Sequence, residues 1–579
     1  MSDWKSLAQR WIDEDPDPVT RAEMQAVVDA NDVASLADRL GSKLEFGTAG
    51  LRGVIGAGPN RMNRAVVIRT TAGLCAYLRA KAPDAAARGV VVGYDGRRMS
   101  REFALDAAAV ITAAGMVAHL FEDVAPTPLT AFAVIDLGAA AGVMVTASHN
   151  PPEYNGYKVY WGNGAQIIPP HDKGIADAID AVGRADLVAR ADLAAARESG
   201  RCRTVSDAVS VRYLAGLRAL SPCADAPANL TIVYTALHGV GAKLALEVLA
   251  RWGRVASVAE QQEPDGAFPT VAFPNPEEKG AMDLSMALAR RERADLVIAN
   301  DPDADRLAVA VPRGDGWTQL SGNDVGVLLG HHLLTEGNRA GERLVAVSIV
   351  SSPLLGVIAG ALGVRCEETL TGFKWIANRA LAVEAATGER FEFGYEEALG
   401  YSVSTLVRDK DGVSAAYVIA GLAASLKARG QTLLDRLEAI HRAYGYFVSG
   451  QRSVTAKGAD GMRAIEATMA AFRAQPLTAL GGNRVVATRD FLAGTRTDAE
   501  GKATALGLPP SNVIAYDLMG GGRVMLRPSG TEPKIKFYFD LCEALSPGET
   551  YEAGAARARV RLDAAVIELT EASQARGGL

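Results

Sequence analysis

The sequence has only five cysteines, and the nearest two, Cys202 and Cys223, stand too far apart for a CxxC metal or redox motif, which points to a reducing, cytoplasmic setting. No apolar run approaches the roughly 18 residues that a membrane-spanning helix needs. The opening Met1-Ser2-Asp3-Trp4-Lys5 is acidic where an export signal would be apolar, so neither secretion nor membrane insertion is expected. One-sided charge is lacking as well: 61 basic against 67 acidic residues leave a net charge of −6. Nucleic acid is therefore not an expected partner, and an anionic ligand would have to be held by local clusters of Arg and Lys.

At 579 residues, 49% hydrophobic and 22% charged, the chain has the make-up of a multi-domain globular protein. Residues 4 to 40 carry apolar positions at helical spacing, with Pro16 and Pro18 as breaks, and lead into the glycine-rich loop Phe46-Gly47-Thr48-Ala49-Gly50-Leu51-Arg52-Gly53. Short Val- and Ile-rich runs follow, among them Gly89–Gly93, Leu230–Tyr234, Leu296–Ile298 and Leu344–Val347, each succeeded by a polar loop and a helical stretch. That rhythm predicts an α/β protein with largely parallel sheets, whose ligands sit beyond the carboxyl ends of strands. Breaks are expected at 221–229, near Ser321-Gly322 and between Tyr446 and Gly458, and the tail from Gly548 to Leu579 reads as a terminal helix with a frayed end.

Four polar segments follow apolar runs. Thr146-Ala147-Ser148-His149-Asn150-Pro151 presents a lone hydroxyl, and Asp301-Pro302-Asp303-Ala304-Asp305-Arg306 presents three alternating carboxylates. Oxygen ligands at i, i+2 and i+4 suit a hard cation, and a calcium loop is ruled out because Arg306 and Pro312 stand where it needs Gly and Glu. Magnesium is the natural occupant. A serine that carries phosphate needs such a cation to neutralise the dianion, so the two segments together read as phosphoryl transfer. Ser148 lacks the glycines of a G-x-S-x-G hydrolase elbow, and His149, adjacent in sequence, is poorly placed as a triad base. Lys158 falls where a returning turn would aim its ammonium at the serine, as acid, base or charge partner. Arg527-Pro528-Ser529-Gly530-Thr531 concentrates a guanidinium, two hydroxyls and a glycine N–H, the donor set of a phosphate clamp. Gly394-Tyr395-Glu396-Glu397-Ala398-Leu399-Gly400 is suited to accepting hydrogen bonds from sugar hydroxyls.

Together, and in this order, these motifs resemble the α-D-phosphohexomutase superfamily over essentially the whole chain. The N-terminal extension, Glu396–Tyr401 and Asp409-Lys410-Asp411-Gly412 are similar to its phosphoglucomutase-2 and phosphopentomutase branch. The resemblance implies three topologically similar α/β domains with mixed or parallel sheets and a smaller C-terminal α+β domain around one central cleft. Residues 1–220, 221–322, 323–450 and 451–579 are the expected domains, carrying in turn the serine, metal, sugar and phosphate loops. It further implies that Ser148 is the phosphoserine, that Asp301, Asp303 and Asp305 hold Mg²⁺ with an oxygen on Ser148, and that Arg527, Ser529, Gly530 and Thr531 hold the non-reacting phosphate. Arg52, His149, Lys158 and Arg306 match residues near the transferring group, Lys410 a basic residue of the cleft, and Glu396 a sugar ligand. The expected reaction interconverts glucose 1-phosphate and glucose 6-phosphate through glucose 1,6-bisphosphate. Pentose or mannose phosphates, and bisphosphate synthesis from an acyl phosphate, are the alternatives within this chemistry; a non-catalytic sugar-phosphate sensor is the alternative outside it. Ala398 stands where the family's hexose loop often has Ser, which bears on sugar choice. The expected partners are small sugar phosphates, and a monomer is compatible with the sequence.

Overall fold

The computed structural model describes residues 2–456, 458–529 and 534–579. Its N-terminal part is three helices, Ser2–Glu14, Pro18–Asp29 and Val33–Leu40. Pro18 takes the first position of the second helix, where its missing N–H leaves no bond unmade, and the Asp17 carboxylate caps it by accepting the N–H of Val19. Glu23 and Arg39 meet at 2.6 Å, and both grip Ala57, whose N–H Glu23 accepts at 3.0 Å and whose carbonyl Arg39 reaches at 3.0 Å. The helical preamble thus fastens the loop that follows the Arg52 strand.

Three mixed sheets follow. The first comprises β1 (Leu51–Val54), β2 (Val90–Tyr94), β3 (Ala118–Leu120), β4 (Ala141–Val145), β5 (Tyr154–Trp161) and β6 (Cys202–Thr204) in the order β1-β5-β4-β2-β3-β6. The second comprises β7 (Leu230–Thr235), β8 (Gly253–Ser257), β9 (Leu296–Ala299), β10 (Ala308–Arg313) and β11 (Gly316–Gln319) in the order β11-β10-β9-β7-β8. The third comprises β12 (Arg343–Ser348), β13 (Arg365–Thr369), β14 (Arg390–Glu396) and β15 (Gly400–Ser402) in the order β13-β12-β14-β15. One device recurs in all three. A buried strand paired in parallel (β4, β9 or β14) runs out into a polar loop and returns as an antiparallel neighbour (β5, β10 or β15). Each functional loop therefore springs from the carboxyl end of a rigid central strand and is pinned again within a few residues.

The C-terminal domain departs from that rhythm. Its strands are β16 (Tyr446–Thr455), β17 (Ala479–Leu480), β18 (Asn483–Asp490), β19 (Thr495–Asp498), β20 (Ala503–Ala505), β21 (Ile514–Leu518), β22 (Arg523–Pro528) and β23 (Lys534–Glu543), and every pairing is antiparallel. The segment 446–458, read from sequence as a break, is mostly a strand paired along its length with β23. Alternation sorts the sheet's residues: Ile514, Tyr516, Val524, Leu526, Phe537 and Phe539 face the helices Gly458–Ala474 and Tyr551–Gly577, whereas Ala515, Met525 and Tyr538 face Ile349, Val350 and Leu370 of the third domain. The last helix does not fray as expected: Gly578 closes it at φ 79° and Leu579 is buried in the same core. Among the described residues no helix is long and apolar enough to cross a membrane.

The second and third domains share one continuous core. Trp252, fully buried, lies with its ring centroid 5.0 Å from that of Tyr417, against the helix Gly412–Ala428. Trp252→Ala should therefore cost about 3–5 kcal/mol through the cavity it leaves, seen as a lower thermal midpoint with far-UV circular dichroism retained at 25 °C.

Candidate active site

Ser148 lies just past the end of β4 with φ 54°, a left-handed conformation that costs a serine about 1 kcal/mol and must be enforced by its surroundings. Thr146 Oγ1 accepts its N–H at 2.8 Å. Arg97, from the loop after β2, donates to the carbonyls of Ser148 (2.6 Å), Pro151 (2.8 Å), Tyr154 (3.2 Å) and Asn150. Its guanidinium is set by Asp95 at 3.5 Å and covered by the Phe268 ring of the second domain at 4.8 Å. So held, the Ser148 hydroxyl donates to Asp301 Oδ2 at 2.9 Å, across the boundary between two domains.

Asp301, Asp303 and Asp305 are all completely buried. Their loop is clasped from below: Val240 N–H bonds Pro302 O at 2.8 Å, and Gly239 lies so close that a Cβ there would come within 2.4 Å of Pro302 Cα. Thr127 Oγ1 donates to Asp303 Oδ2 at 2.7 Å. The return of β5 sets Lys158 opposite Met144, from where Nζ donates to Asp303 Oδ2 (2.8 Å) and Asp305 Oδ2 (3.1 Å). Lys410, from the third domain, lies 3.1 Å from Asp305 Oδ2. Arg306 N–H reaches Asp301 Oδ1 at 3.0 Å, while Nη1 donates to Ala398 O at 3.1 Å and ties the metal loop to the glutamate loop.

The electrostatics follow from this packing. Burial opposes ionisation of Asp303, but Lys158 outweighs it and holds the carboxyl below its ordinary value; Lys158 and Lys410 do the same for Asp305 against burial and Asp303. Asp301, with burial and two neighbouring carboxylates against it, is pushed well above the carboxylate range. Burial opposes the charges of Lys158 and Lys410 too, yet the aspartates keep both pKa values raised. Burial, then Arg306 and Arg52, press His149 well below the usual histidine value, so its ring is neutral.

A divalent cation fits these residues. The ammoniums take the Oδ2 atoms, whereas Asp303 Oδ1 and Asp305 Oδ1 are buried with no hydrogen-bond partner among the described residues. One oxygen from each of the three carboxylates lies within 4.8 Å of the others, and the donors are all hard oxygen.

Of the remaining candidates, Arg52 on β1 is solvent-facing and donates to Asn150 Oδ1 of the serine loop at 3.1 Å. Glu396 Oε1 accepts the N–H of Gly372 at 2.6 Å, and Glu397 Oε2 accepts the hydroxyls of Ser351 (3.1 Å) and Ser348 (3.3 Å). Arg527, near the end of β22, lies beside Tyr538 and within electrostatic reach of Lys374. Ser529 N–H bonds Lys534 O at 2.7 Å; Gly530 and Thr531 lie outside the described residues. Three residues escaped the sequence reading. Arg97 and Thr127 support the two central loops, and Lys374 at the start of the helix Phe373–Thr387 bonds Thr48 of the opening loop. Arg97 had a signal, since Asp95-Gly96-Arg97 is itself a polar loop at a strand end.

Family models for phosphoglucomutase/phosphomannomutase alpha/beta/alpha domains I, II and III match residues 43–185, 211–314 and 321–444. Human phosphopentomutase is 37% identical over 555 residues, covering 92% of this chain and 90% of the relative. A probable phosphomannomutase of Haemophilus influenzae is 42% identical over 488 residues, covering 83% and 93%. The open form of the Paramecium phosphoglucomutase parafusin superposes with a TM-score of 0.64 at 17% identity, covering 91% of this chain and 96% of that one, a likeness of fold. Repeated α/β domains with this cross-domain site define a phosphotransferase of the phosphosugar mutase class. The chain belongs to the α-D-phosphohexomutase superfamily, in its phosphoglucomutase-2- and phosphopentomutase-like branch.

Two outcomes follow from the site. Gly239→Ala should displace the Pro302 backbone and lower kcat/KM by about 10- to 100-fold while the thermal midpoint moves little. Burial, and then Glu396, push Glu397 up to about 7, so the folded state binds that proton more tightly than the unfolded one. Its stabilising effect is complete below the ordinary glutamate range and is lost as the pH rises through about 7. Glu397→Gln should accordingly raise the thermal midpoint more at pH 8 than at pH 5.

Proposed function

We propose that this chain is a phosphopentomutase, moving phosphate between O1 and O5 of ribose or deoxyribose through phospho-Ser148 and a bisphosphorylated sugar. The observation that carries the phosphoryl chemistry is the 2.9 Å contact of the Ser148 hydroxyl with a fully buried carboxylate whose two companions each keep a buried, unpartnered oxygen. Asp301, Asp303 and Asp305 would hold Mg²⁺ with an oxygen on Ser148. When bound, the ion neutralises charge on the transferring group. Arg52 and Arg306 flank that group as guanidinium donors, and the fixed arrangement of donors, made before the substrate arrives, is what lowers the barrier. Lys158 holds a proton on Nζ next to the serine and is the candidate to exchange it with the sugar hydroxyl. Glu396 and Glu397 accept hydroxyls of the sugar, and Arg527, with Ser529, Gly530 and Thr531, takes the phosphate not being transferred.

Sugar choice rests on two supports. A phosphopentomutase is similar to this chain over 92% of its length, and Ala398 lacks the hydroxyl that a hexose-selective loop would offer. Glucose 1-phosphate is then a secondary substrate, and glucose 1,6-bisphosphate a phosphate donor that primes Ser148.

The test is a side-by-side measurement of kcat/KM on ribose, deoxyribose, glucose and mannose 1-phosphates, with glucose 1,6-bisphosphate present. Pentoses should lead by at least about tenfold; a glucose optimum would return the chain to the phosphoglucomutases. Ser148→Ala should abolish turnover and the acid-stable phosphopeptide, and retained turnover would remove the phosphoserine mechanism.

A further inference from the structure

Outside the phosphoryl-transfer site, one cluster joins a thiol, an imidazole and a carboxylate. Cys223, in the 221–229 connection, has its Sγ 3.6 Å from His332 Nε2. The other ring nitrogen, Nδ1, lies 3.5 Å from Glu336 Oε2, one turn further along the helix Gly322–Glu336, and Glu336 Oε1 accepts Arg436 Nη2 at 2.5 Å. The imidazole is engaged from both sides, by sulfur at one nitrogen and by carboxylate at the other. One donor atom of each of the three lies within 4.8 Å of the others, but the two close contacts use opposite ring nitrogens. The sulfur thus sits against an imidazole whose tautomer and orientation the carboxylate fixes, the kind of surroundings in which thiols act as nucleophiles.

Burial confines the chemistry. His332 is 1% exposed and Cys223 8%, which limits it to a solute of a few atoms rather than a peptide or ester. Burial works against a charge on His332, but Cys223 and Glu336 outweigh it and raise its pKa above the ordinary histidine value. His332, first, and Arg436 hold Glu336 down at about 2. Among the described residues the other four thiols have no imidazole partner: burial pushes Cys75 and Cys366 up to about 12, and raises Cys202, against Arg197, and Cys542 as well.

We propose that Cys223 is a peroxide-sensitive thiol, activated by His332 with Glu336 as its positioning residue, and the site of reversible oxidation in this chain. In the step, the Cys223 thiolate attacks one oxygen of a hydroperoxide. An S–O bond forms and the O–O bond breaks. The leaving hydroxide or alkoxide takes the His332 Nε2 proton and departs as water or an alcohol. Sulfur loses two electrons to the peroxide, and the resulting sulfenate is returned to thiol by two equivalents of a low-molecular-weight thiol, through a mixed disulfide.

The test exposes the full-length protein to hydrogen peroxide, traps sulfenate with a cyclic 1,3-dione, and measures the rate at each cysteine by peptide mass spectrometry. Cys223 should be trapped at least about tenfold faster than any of the other four, and His332→Asn should slow it by about tenfold. Glu336→Gln, at the partly exposed end of its helix, should slow trapping by a smaller factor and lower the thermal midpoint through the lost Arg436 pair, while leaving the basal mutase rate of unoxidised protein unchanged. It keeps the test decisive should His332→Asn fail to fold. Faster trapping at Cys366 or Cys542, both better exposed than Cys223, would overturn the proposal, as would an unchanged Cys223 rate in Glu336→Gln.

Discussion

Three carboxylates removed entirely from water, and close enough for one oxygen of each to share an ion, are the constraint to which the rest of this molecule answers. Three buried negative charges would drive the loop apart or force its protonation unless countercharge were supplied at fixed positions. The chain supplies it from separate domains: Lys158 from the first, Arg306 from the second, Lys410 from the third. Even so, the compensation falls on the outer oxygens of Asp303 and Asp305, and Asp301 stays pushed toward its neutral form. Asp301, which neither ammonium contacts, is the carboxylate that a bound cation would hold ionised. Docking of the three domains and occupancy of the site are thereby linked, since each ammonium is placed correctly only when its own domain is seated.

The repeated turn of strand, loop and antiparallel return supplies the rigidity. Ser148 sits at a positive φ, as does Ala304 between two of the aspartates, and neither conformation is one its residue prefers. Both are enforced by backbone contacts from elsewhere: Arg97 on four carbonyls of the serine segment, and Gly239 and Val240 beneath Pro302. In the proposed role of accepting and releasing phosphate, the hydroxyl gains from being held in this way, because the geometry is fixed before the substrate arrives rather than during the reaction.

The parts of the site that were legible in the sequence are those whose chemistry is contiguous. Asp301, Asp303 and Asp305 point to a cation by their spacing taken with their context, and Ser148 is marked by the apolar strand before it. What folding alone brings together was not legible. Arg97 lies 51 positions from the carbonyl it grips and Thr127 lies 176 from Asp303, so neither spacing carries a local signal. The fold shows the same division. βα alternation announced largely parallel α/β sheets, and only the family resemblance gave their number; β16 lies in a stretch read as a boundary because Ser449-Gly450-Gln451-Arg452-Ser453 has the composition of a loop. Its partner, β23, stands some 80 residues further on and supplies the hydrogen bonds that its own sequence does not suggest.

The remaining link is between the C-terminal domain and the sugar loop. Glu368 at the end of β13 receives Arg489 at 2.6 Å and Arg523 at 2.5 Å, and this double ion pair, mostly buried on the arginine side, fastens the C-terminal sheet to the third domain. Arg523 also donates to the carbonyl of Ser351 at 2.6 Å, while the Ser351 hydroxyl donates to Glu397. One residue thus contacts the strand that leads to Arg527 and Glu397 of the glutamate loop. Because Ser351 cannot shift without disturbing both bonds, movement of the phosphate-holding domain would reach the sugar loop through a short chain of hydrogen bonds. The two ends of a sugar phosphate would then be sensed together, which a mutase requires: each phosphate must in turn occupy the position of the other.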